Sequence, residues 1–385
     1  MIYIQNEKFN KMKVLHILNE LKFSGAEIMY VDAAPIFQKK GCDLFVVNTT
    51  ENLGEYAIAF EQKGYKVFHI PYPDSKKKIS ARADWCKKMI QLIKNENIDI
   101  VHIHSARLRF DMSFCAWIAG VKSIYTFHNV FSTIHWYKRV YGIAQRFIVK
   151  NLFGCKFQTI SDSVFCNEKY YWHNNTTLIY NWYNSYRFYP AEKNEKEKIR
   201  KELDISNESL VVISVGGCSP IKRHSDIIKS LPQLIKTYPN TVYIHLGNGI
   251  SLDDEMQLAK TLNVSKNIRF YGNQVDVRKF LIASDIYVMP SKYEGISITT
   301  IESMACKIPA ILYNVPGLRD FNKEKECSIL VKEDYNLLAE AIFSLYKDKE
   351  TQERLIFNAK SFVDTKFNIK KNALEIFGLY KSMLE

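Results

Sequence analysis

The sequence predicts an α/β protein of two doubly wound, Rossmann-like domains whose parallel sheets face each other across a cleft. Three observations predict this fold class. The chain has 385 residues, which exceeds the usual size of a single hydrophobic core. Short apolar segments alternate with longer helical patterns, as is typical of parallel sheets covered by helices. A charged segment that begins with proline, residues 190–208, separates two such series.

The first series contains six predicted strands and the second contains five. Those of the first series are 14–18, 44–48, 67–70, 100–104, 124–128 and 158–160. Those of the second series are 211–215, 241–247, 267–271, 286–289 and 310–313. Helical patterns, such as 84–95 and 227–237, lie between most of them. Ligands of open α/β sheets bind beyond the carboxyl ends of the strands, so a functional site is expected in the loops that follow.

The boundaries follow from these patterns. We expect residues 1–11 to extend beyond the fold, 12–189 to form the first domain, 190–208 to be a linker leading into a short helix, and 209–367 to form the second domain. An amphipathic helix at 368–385 is expected to cross back to the first domain. No apolar run approaches the roughly 20 residues that cross a bilayer, and the start lacks the pattern of a secretory signal. We therefore expect a cytoplasmic protein.

Eight cysteines are scattered along the chain, at positions 42, 86, 115, 155, 166, 218, 306 and 327. None belongs to a C-x-x-C pair, and the scatter matches neither a zinc site nor a compact disulfide framework. The pattern predicts reduced, mostly buried thiols.

Positive charge is concentrated in the first half of the chain. The net charge is +12, and residues 1–190 hold 25 lysines and arginines against 15 aspartates and glutamates. This excess predicts an anionic partner, either a membrane surface, a phosphorylated acceptor or nucleic acid. Nucleic acid is the least favoured, because no recognisable reading motif accompanies the charge.

The most informative segment is SKYEGISITTIESMACKIP, residues 291–309, which follows a predicted strand. Gly295 allows a tight backbone path, and Ser297 or Thr299 can cap the helix that follows. Free amides and a partial positive charge at a helix N-terminus form an anion site. Glu294 lies on the turn and Glu302 on the helix, and carboxylates of this kind accept hydrogen bonds from the diols of sugars and ribose.

The framework P-S-x-x-E-G-x-x-x-x-x-x-E-x-M-A-x-x-x-P, residues 290–309, resembles the signature of family 4 of the retaining GT-B glycosyltransferases. The resemblance implies a GT-B fold and transfer of a sugar from a nucleotide-sugar donor, with UDP or GDP expected, to a glycan or polyprenyl-linked acceptor. It implies retention at the anomeric carbon and no metal or other cofactor, and the sequence has no Asp-x-Asp motif placed for a metal–diphosphate. The first domain would bind the acceptor and the second the donor, in surface polysaccharide biosynthesis.

The same resemblance assigns roles within this segment. Glu294 would contact the transferred sugar and Glu302 the nucleotide ribose. The amides that follow the turn would receive the diphosphate; they belong to Gly295, Ile296, Ser297 and Ile298.

SVGGCSPIKRH, residues 214–224, resembles the family's loop after the first strand of the second domain. Gly216 belongs to this loop, and Lys222 matches the lysine that grips the diphosphate. Gly217 stands where an arginine that contacts the diphosphate is usual. That arginine contact is therefore missing, or another residue makes it, and Arg223 is one candidate.

Three further glycine positions of the family bear on the donor site. Gly249 matches a short glycine turn, and Gly272 matches the glycine that borders the nucleobase. Lys307 departs from the pattern, because a glycine is usual there and a non-glycine residue with positive φ costs about 1 kcal/mol.

In the first domain, Ser24-Gly25-Ala26-Glu27 resembles the family's Gly-Gly-Ala-Glu loop, in which Gly25 would face the donor phosphate. A plain strand-to-helix turn is the alternative. His128, at the end of a strand, matches a histidine near the reacting sugar, and we predict it to be catalytic together with Glu294 and Lys222. His104 is predicted to be structural.

Residues 134–152 form an amphipathic pattern, with aromatic side chains on one face of a helix and four basic residues on the opposite arc, Lys138, Arg139, Arg146 and Lys150. One interpretation is a helix that lies on anionic lipid, giving peripheral contact with the inner face of the membrane. The other is a helix packed on its own domain with a solvated basic face.

Two alternatives to a glycosyltransferase stay open. Another GT-B sugar-nucleotide enzyme would share the frame: an epimerase would need no acceptor, whereas a phosphorylase would need free phosphate or a pyridoxal cofactor. A catalytically degenerate sugar-nucleotide-binding protein would be consistent with the departures at Gly217 and Lys307.

Overall fold

A computed structural model describes residues 11–73 and 79–385 and divides the chain into two compact α/β units. The first unit comprises the chain up to Tyr180 together with Ile369–Glu385, and the second comprises Asn181–Asn368. The predicted extension at 1–11 lies outside the described residues except for Lys11.

The first unit contains a seven-stranded sheet in the order β3-β2-β1-β4-β5-β6-β7, in which every neighbouring pair is parallel. Its strands are β1 Met12–Leu18, β2 Cys42–Asn48, β3 Lys66–His69, β4 Ile100–Ile103, β5 Lys122–Phe127, β6 Lys156–Thr159 and β7 Thr177–Leu178. Its first six helices are α1 Gly25–Lys39, α2 Ala57–Gln62, α3 Ile79–Asn95, α4 Arg109–Ala119, α5 Trp136–Phe147 and α6 Asp162–Cys166. The six predicted strands are confirmed. Strand β7 was not predicted, because two residues are too few to show a period.

The second unit contains a six-stranded parallel sheet in the order β10-β9-β8-β11-β12-β13. Its strands are β8 Val211–Val215, β9 Val242–Leu246, β10 Ile268–Gly272, β11 Ile286–Met289, β12 Ala310–Tyr313 and β13 Ile329–Val331. Its helices are α7 Glu195–Glu202, α8 His224–Thr237, α9 Leu252–Thr261, α10 Val277–Ala283, α11 Ile298–Ala305, α12 Tyr335–Lys347 and α13 Lys349–Lys366. The five predicted strands are confirmed; the short strand β13 was missed.

The short helix predicted within 190–208 is confirmed as α7, but the segment is not a separate linker, because it belongs to the second unit. Its helix α7 buries Arg200, whose guanidinium donates to Asp285 at 2.8 Å and to the carbonyl of Ala283. The Asp285 carboxylate also accepts the backbone amide of Val211, the first residue of β8. A buried arginine bound in this way fixes the segment to the amino-terminal ends of the central strands β8 and β11, which its charged composition did not reveal.

The last helix, α14 (Ile369–Leu384), belongs to the first unit, where it packs on α1. Its buried Tyr380 hydroxyl lies 2.5 Å from Nδ1 of His102 on β4, and its ring packs near Phe37 of α1. The chain therefore returns to the first unit after completing the second.

Both sheets have buried central strands, and both reverse their strand order at one place. All five residues of β8 are buried, as expected for a strand covered by helices on both faces. The order reverses between β1 and β4 in the first unit and between β8 and β11 in the second. Loops that leave such switch points are where doubly wound sheets bind ligands.

The eight cysteines are all free thiols, six of them buried. Among the helices of the described residues, none combines the length and the apolar character that crossing a membrane requires.

Candidate active site

The switch point of the second unit brings together the loops that follow β8 and β11. The amide of Lys292 donates to the carbonyl of Ile221 at 2.8 Å, which joins the two loops directly. A third turn, at 247–249, packs against the first loop so closely that a Cβ at Gly249 would lie 2.3 Å from the carbonyl oxygen of Cys218. Only glycine allows this approach. The three segments that follow β8, β9 and β11 therefore meet at this switch point.

Lys222 and Glu294 form an ion pair within these loops. The Lys222 ammonium donates to Oε1 of Glu294 at 2.7 Å, and the hydroxyl of Ser291 donates to the same oxygen at 2.6 Å. Both side chains retain some exposure, 25% for Lys222 and 12% for Glu294. The aliphatic stem of Lys222 runs along Gly216, where an added Cβ would lie 3.5 Å from Cε of the lysine. The structure thus joins two of the predicted catalytic residues and adds Ser291, which the sequence analysis did not assign.

Helix α11 begins directly after this ion pair. The Ser297 side chain accepts the amide of Thr300 at 3.2 Å, so it is the N-cap, and Thr299 donates to the carbonyl of Val215 at the end of β8. Within the described part of the chain, the amides of Ile296, Ser297 and Ile298 have no hydrogen-bond acceptor. Unpaired amides at a helix N-terminus are suited to bind an anion.

The remaining predicted donor residues occupy different positions. Glu302 lies on α11 and is buried. Gly272 ends β10 with a φ of 65°, and its carbonyl accepts the amide of Gly247. At Gly217 an added Cβ would meet only the Asn248 carbonyl oxygen, at 3.4 Å, so the chain offers space there for a side chain. Lys307 adopts the left-handed conformation, with φ at 62°. This is the strained geometry expected of a non-glycine residue at a position where glycine is usual.

Arg223 is engaged elsewhere. Its guanidinium pairs with Asp226 at 2.8 Å and with Glu333, and it lies over the ring of Tyr313. A guanidinium held by two carboxylates is poorly available to a diphosphate. The interpretation of Arg223 as the replacement for the usual arginine at 217 is therefore not supported by the geometry.

In the first unit, His128 ends a row of hydrogen-bonded histidines. Nε2 of His128 lies 3.1 Å from Nδ1 of His104, and Nε2 of His104 lies 3.1 Å from Nδ1 of His16. His104 and His16 are buried, whereas His128 keeps an exposed edge. His104, predicted to be structural, therefore orients His128.

Burial keeps these imidazoles neutral. Desolvation lowers the pKa of His16 to about 3 and that of His128 to about 4, and it holds the pKa of His104 well below its usual range. In a neutral imidazole one ring nitrogen donates a hydrogen bond and the other accepts one. Along the row, the tautomer of each histidine therefore fixes the tautomer of its neighbour. His128 is thus a neutral, oriented group with one edge accessible.

The loop after β1 forms a conventional helix start. Ser24 is the N-cap residue of α1, and its hydroxyl donates to the carboxylate of Glu27. Glu27 is buried, and desolvation raises its pKa. Gly25 is the first residue of α1.

Helix α5 presents its aromatic face to the outside of the first unit, and of the four basic residues of the amphipathic pattern only Lys138 is exposed. Trp136, Tyr141 and Phe147 are 77%, 69% and 67% exposed. Arg146 is buried, donates to Glu168 at 2.7 and 2.8 Å, and lies over the ring of Trp172. The interpretation of a packed helix with a solvated basic face is wrong, because the basic side anchors the helix.

Comparisons with known proteins agree with this architecture. The model of "Glycosyltransferase Family 4" matches residues 23–169, and that of "Glycosyl transferases group 1" matches residues 195–362. N-acetyl-alpha-D-glucosaminyl L-malate synthase of Bacillus anthracis is 23% identical over 77% of this chain and 78% of its own. UDP-Gal:alpha-D-GlcNAc-diphosphoundecaprenol alpha-1,3-galactosyltransferase of Escherichia coli is 26% identical over the same shares. The crystal structure of HepE of Anabaena, in complex with UDP and glucose, superposes with a TM-score of 0.83 at 19% identity, covering 96% of this chain and 100% of HepE.

Two doubly wound units, superposable on HepE over nearly the whole chain, place the protein in the GT-B fold class. The two family matches specify it further: the chain belongs to the group 1, family 4 glycosyltransferases, and it is a glycosyltransferase.

Proposed function

We propose that this glycosyltransferase moves a sugar from a nucleotide-sugar to a glycan or polyprenyl-linked acceptor, with retention at the anomeric carbon. The observation that carries the proposal is the Lys222–Glu294 pair, which joins the loop after β8 to the turn that leads to the N-terminus of α11. The cation and the unpaired amides suit the diphosphate of a donor, and the carboxylate suits its sugar hydroxyls.

The leaving diphosphate gains negative charge as the bond between the anomeric carbon and its oxygen breaks. Lys222 and the amides of Ile296, Ser297 and Ile298 would stabilise that charge with dipoles already in place, which is the most effective form of electrostatic catalysis. Ser291 holds Glu294 on one carboxylate oxygen. Glu294 could then orient the transferred sugar through the rest of its acceptor capacity, while the buried Glu302 would bind the ribose.

Retention requires the acceptor hydroxyl to attack the face from which the diphosphate departs. A short-lived oxocarbenium-like species captured on that face satisfies this requirement. His128 would contact the sugar as a neutral imidazole, because its lowered pKa keeps it unprotonated near neutral pH. Its hydrogen bond to His104 would set the nitrogen that it presents.

We propose that this chemistry needs no metal or other cofactor at the diphosphate. Lys222 and the partial positive charge of the α11 N-terminus provide the positive field that a divalent cation would otherwise provide. A uridine nucleotide is the preferred donor class, since the galactosyltransferase relative is named for UDP-Gal and HepE was solved with UDP and glucose.

A lipid-linked acceptor is favoured by the exposed aromatic surface, which we define as Trp136, Tyr137, Val140, Tyr141 and Phe147. Trp and Tyr favour the boundary between lipid headgroups and acyl chains. The net positive charge of residues 1–190 favours an anionic membrane. The galactosyltransferase relative is itself named for a diphosphoundecaprenol-linked substrate. We propose that this surface rests on lipid and brings the enzyme to its acceptor in surface polysaccharide assembly.

The direct test incubates the protein with UDP- and GDP-sugars and a polyprenyl-diphosphate-linked sugar, in chelator, and follows nucleoside diphosphate release. Proton NMR of the product reports the anomeric configuration. We expect transfer with retention that persists in chelator. Turnover without acceptor would indicate an epimerase, turnover that requires phosphate would indicate a phosphorylase, and donor binding without turnover would indicate a degenerate binding protein.

A further inference from the structure

A buried cluster of four metal-ligating side chains lies behind the Lys222 loop. It consists of Cys218 in the loop after β8, His224 at the start of α8, His245 on β9 and Glu255 on α9, and all four are buried. Their candidate ligand atoms all lie within 4.8 Å of one another. From this geometry we propose that the second unit binds one zinc ion at this cluster, as a structural site.

The separations between ligand atoms match a tetrahedral metal site. Nε2 of His245 lies 3.0 Å from Nδ1 of His224, 3.0 Å from Oε2 of Glu255 and 3.7 Å from Sγ of Cys218. Nδ1 of His224 lies 3.7 Å from Oε1 of Glu255. Zinc bonds of about 2.0–2.3 Å in tetrahedral geometry place neighbouring ligand atoms about 3.3–3.6 Å apart. The observed separations, from 3.0 to 3.7 Å, lie on both sides of this range.

Hydrogen bonding alone does not satisfy this arrangement. Nε2 of His245 faces three polar atoms of the cluster, yet one ring nitrogen of a neutral imidazole serves as a single donor or a single acceptor. At least one close contact therefore remains without a hydrogen bond. A cation at the centre accepts a lone pair from each of the four atoms and removes the conflict.

The donor set and its charge both favour zinc. One thiolate, two imidazoles and one carboxylate are all preferred zinc ligands, and a closed set of four protein ligands is typical of a structural site. A thiolate and a carboxylate neutralise a divalent cation completely, so the site can be buried without residual charge. Magnesium and calcium prefer oxygen ligands and do not fit this set.

The position of the cluster gives the ion a structural role next to the donor site. The amide of Cys218 donates to the carbonyl of Asn248, and its carbonyl accepts the amide of Ser251. Cys218 and His224 flank the segment that carries Lys222. A bound ion would therefore tie the Lys222 loop to β9 and α9, without contacting a nucleotide-sugar or replacing the charge of Lys222.

The test measures metal in the untagged full chain, purified and dialysed in zinc-containing buffer, by inductively coupled plasma mass spectrometry. The variants Cys218→Ser and Glu255→Gln preserve shape and remove one ligand each. Cys327→Ser, which changes another buried thiol of the same unit, is the matched control. We expect about one zinc per chain in the wild type and in Cys327→Ser, and a clear loss of bound zinc in the two ligand variants.

A second measurement keeps the inference testable if a ligand variant fails to fold. Wild-type protein stripped with a chelator is titrated with Co²⁺, which reports its ligands by absorption. We expect one equivalent to produce a thiolate-to-cobalt charge-transfer band and the ligand-field bands of a tetrahedral site, with zinc displacing the cobalt. Wild-type protein that takes up no stoichiometric metal, or that binds cobalt without a thiolate band, would overturn the zinc site. Neither readout depends on transferase activity, so the proposed function is tested separately.

Discussion

At the residue scale, the Lys222–Glu294 pair carries the chemical claim, and we expect activity to depend on both members. Glu294→Ala removes the carboxylate proposed to hold the sugar, and Lys222→Ala removes the cation proposed to hold the diphosphate. Loss of a preorganised electrostatic contact typically lowers kcat by about 10²–10³-fold. Initial rates of sugar transfer measure this loss.

The matched control for that experiment is Lys292→Ala. Lys292 lies two residues before Glu294, and its side chain is exposed. It should keep wild-type activity, and circular dichroism should show an intact fold in all three variants. Full activity of Glu294→Ala and Lys222→Ala would refute the site.

Gly217 offers a gain-of-function prediction. An arginine introduced there would start from a Cβ that meets only the Asn248 carbonyl oxygen, at 3.4 Å, and it would place a guanidinium in the Lys222 loop. A charge-assisted hydrogen bond contributes about 1.5–3 kcal/mol, so we expect Gly217→Arg to lower the KM for the donor by about tenfold. Gly217→Gln, which adds similar bulk without charge, should not lower it. An unchanged donor KM in Gly217→Arg would show that the diphosphate does not lie near position 217.

Local patterns in the sequence reveal some of the site residues but not the contacts between residues that are distant in sequence. Lys222, Glu294 and Ser297 could be found because each belongs to a segment with a recognisable pattern. Arg223 was misjudged because its partner Glu333 is far away in sequence. Nothing in the local sequence around His16 or His104 indicates their hydrogen bonds to each other and to His128. The cluster of Cys218, His224, His245 and Glu255 was missed for the same reason, since parallel strands and crossover helices bring it together.

At the element scale, helix α5 shows that an amphipathic pattern fixes two faces but not which of them is buried. The buried ion pair between Arg146 and Glu168 decides the orientation, and it leaves the aromatic surface exposed. Segment 190–208 likewise has a charged composition that does not reveal which residue is buried, and this residue is Arg200. In both segments a buried charge pairs with a distant residue, and composition alone does not reveal this.

The orientation of α5 leads to a prediction for lipid binding. Replacing Trp136 and Tyr141 with serine removes two exposed aromatic side chains and leaves the buried anchor Arg146 intact. We expect the double variant to lose most of its flotation with liposomes that contain anionic lipid, because those side chains would otherwise insert at the membrane boundary.

Phe357→Ser is the control for this experiment, since Phe357 is 74% exposed in the second unit. It should float as the wild type does. Arg146→Glu is unsuitable, because it would place two carboxylates together in a buried position. Equal flotation of the wild type and the Trp136/Tyr141 variant would remove the lipid contact from this account.

At the scale of the whole molecule, the alternation of strands and helices was sufficient to predict two doubly wound units. The predicted return of the last helix to the first unit is confirmed, since α14 belongs to that unit. The boundary between the units was less accessible: it lies after Tyr180 and not at residue 189. Strand-to-helix periodicity is a local property, whereas the assignment of a connecting segment to a unit depends on distant packing.

The buried histidines predict that acid destabilises the first unit. Burial lowers the pKa of His16 to about 3 and holds the pKa values of His102 and His104 well below the usual value of 6.5. The unfolded chain therefore binds more protons than the folded chain below pH 6.5, so stability falls as the pH falls from 6.5 towards 3. His16 alone removes about 2 kcal/mol of stability between pH 6.5 and about 5, and His102 and His104 act in the same direction.

Urea unfolding at neutral pH and at about pH 5 measures this effect. We expect a lower free energy of unfolding at the acid pH, and a smaller pH dependence in His16→Gln, which lacks one of the titrating groups. Equal stability at the two pH values would show that these imidazoles are not buried as neutral groups.

The central claim is that the turn between β11 and α11 binds an activated sugar by its diphosphate. Isothermal titration calorimetry with UDP-, GDP-, ADP- and TDP-sugars, on the wild type and on Lys222→Ala, tests it most directly. We expect one-to-one binding of at least one of these donors, with a uridine nucleotide favoured, and a large loss of affinity in Lys222→Ala. Absence of binding by all four classes, or equal binding by Lys222→Ala, would contradict it.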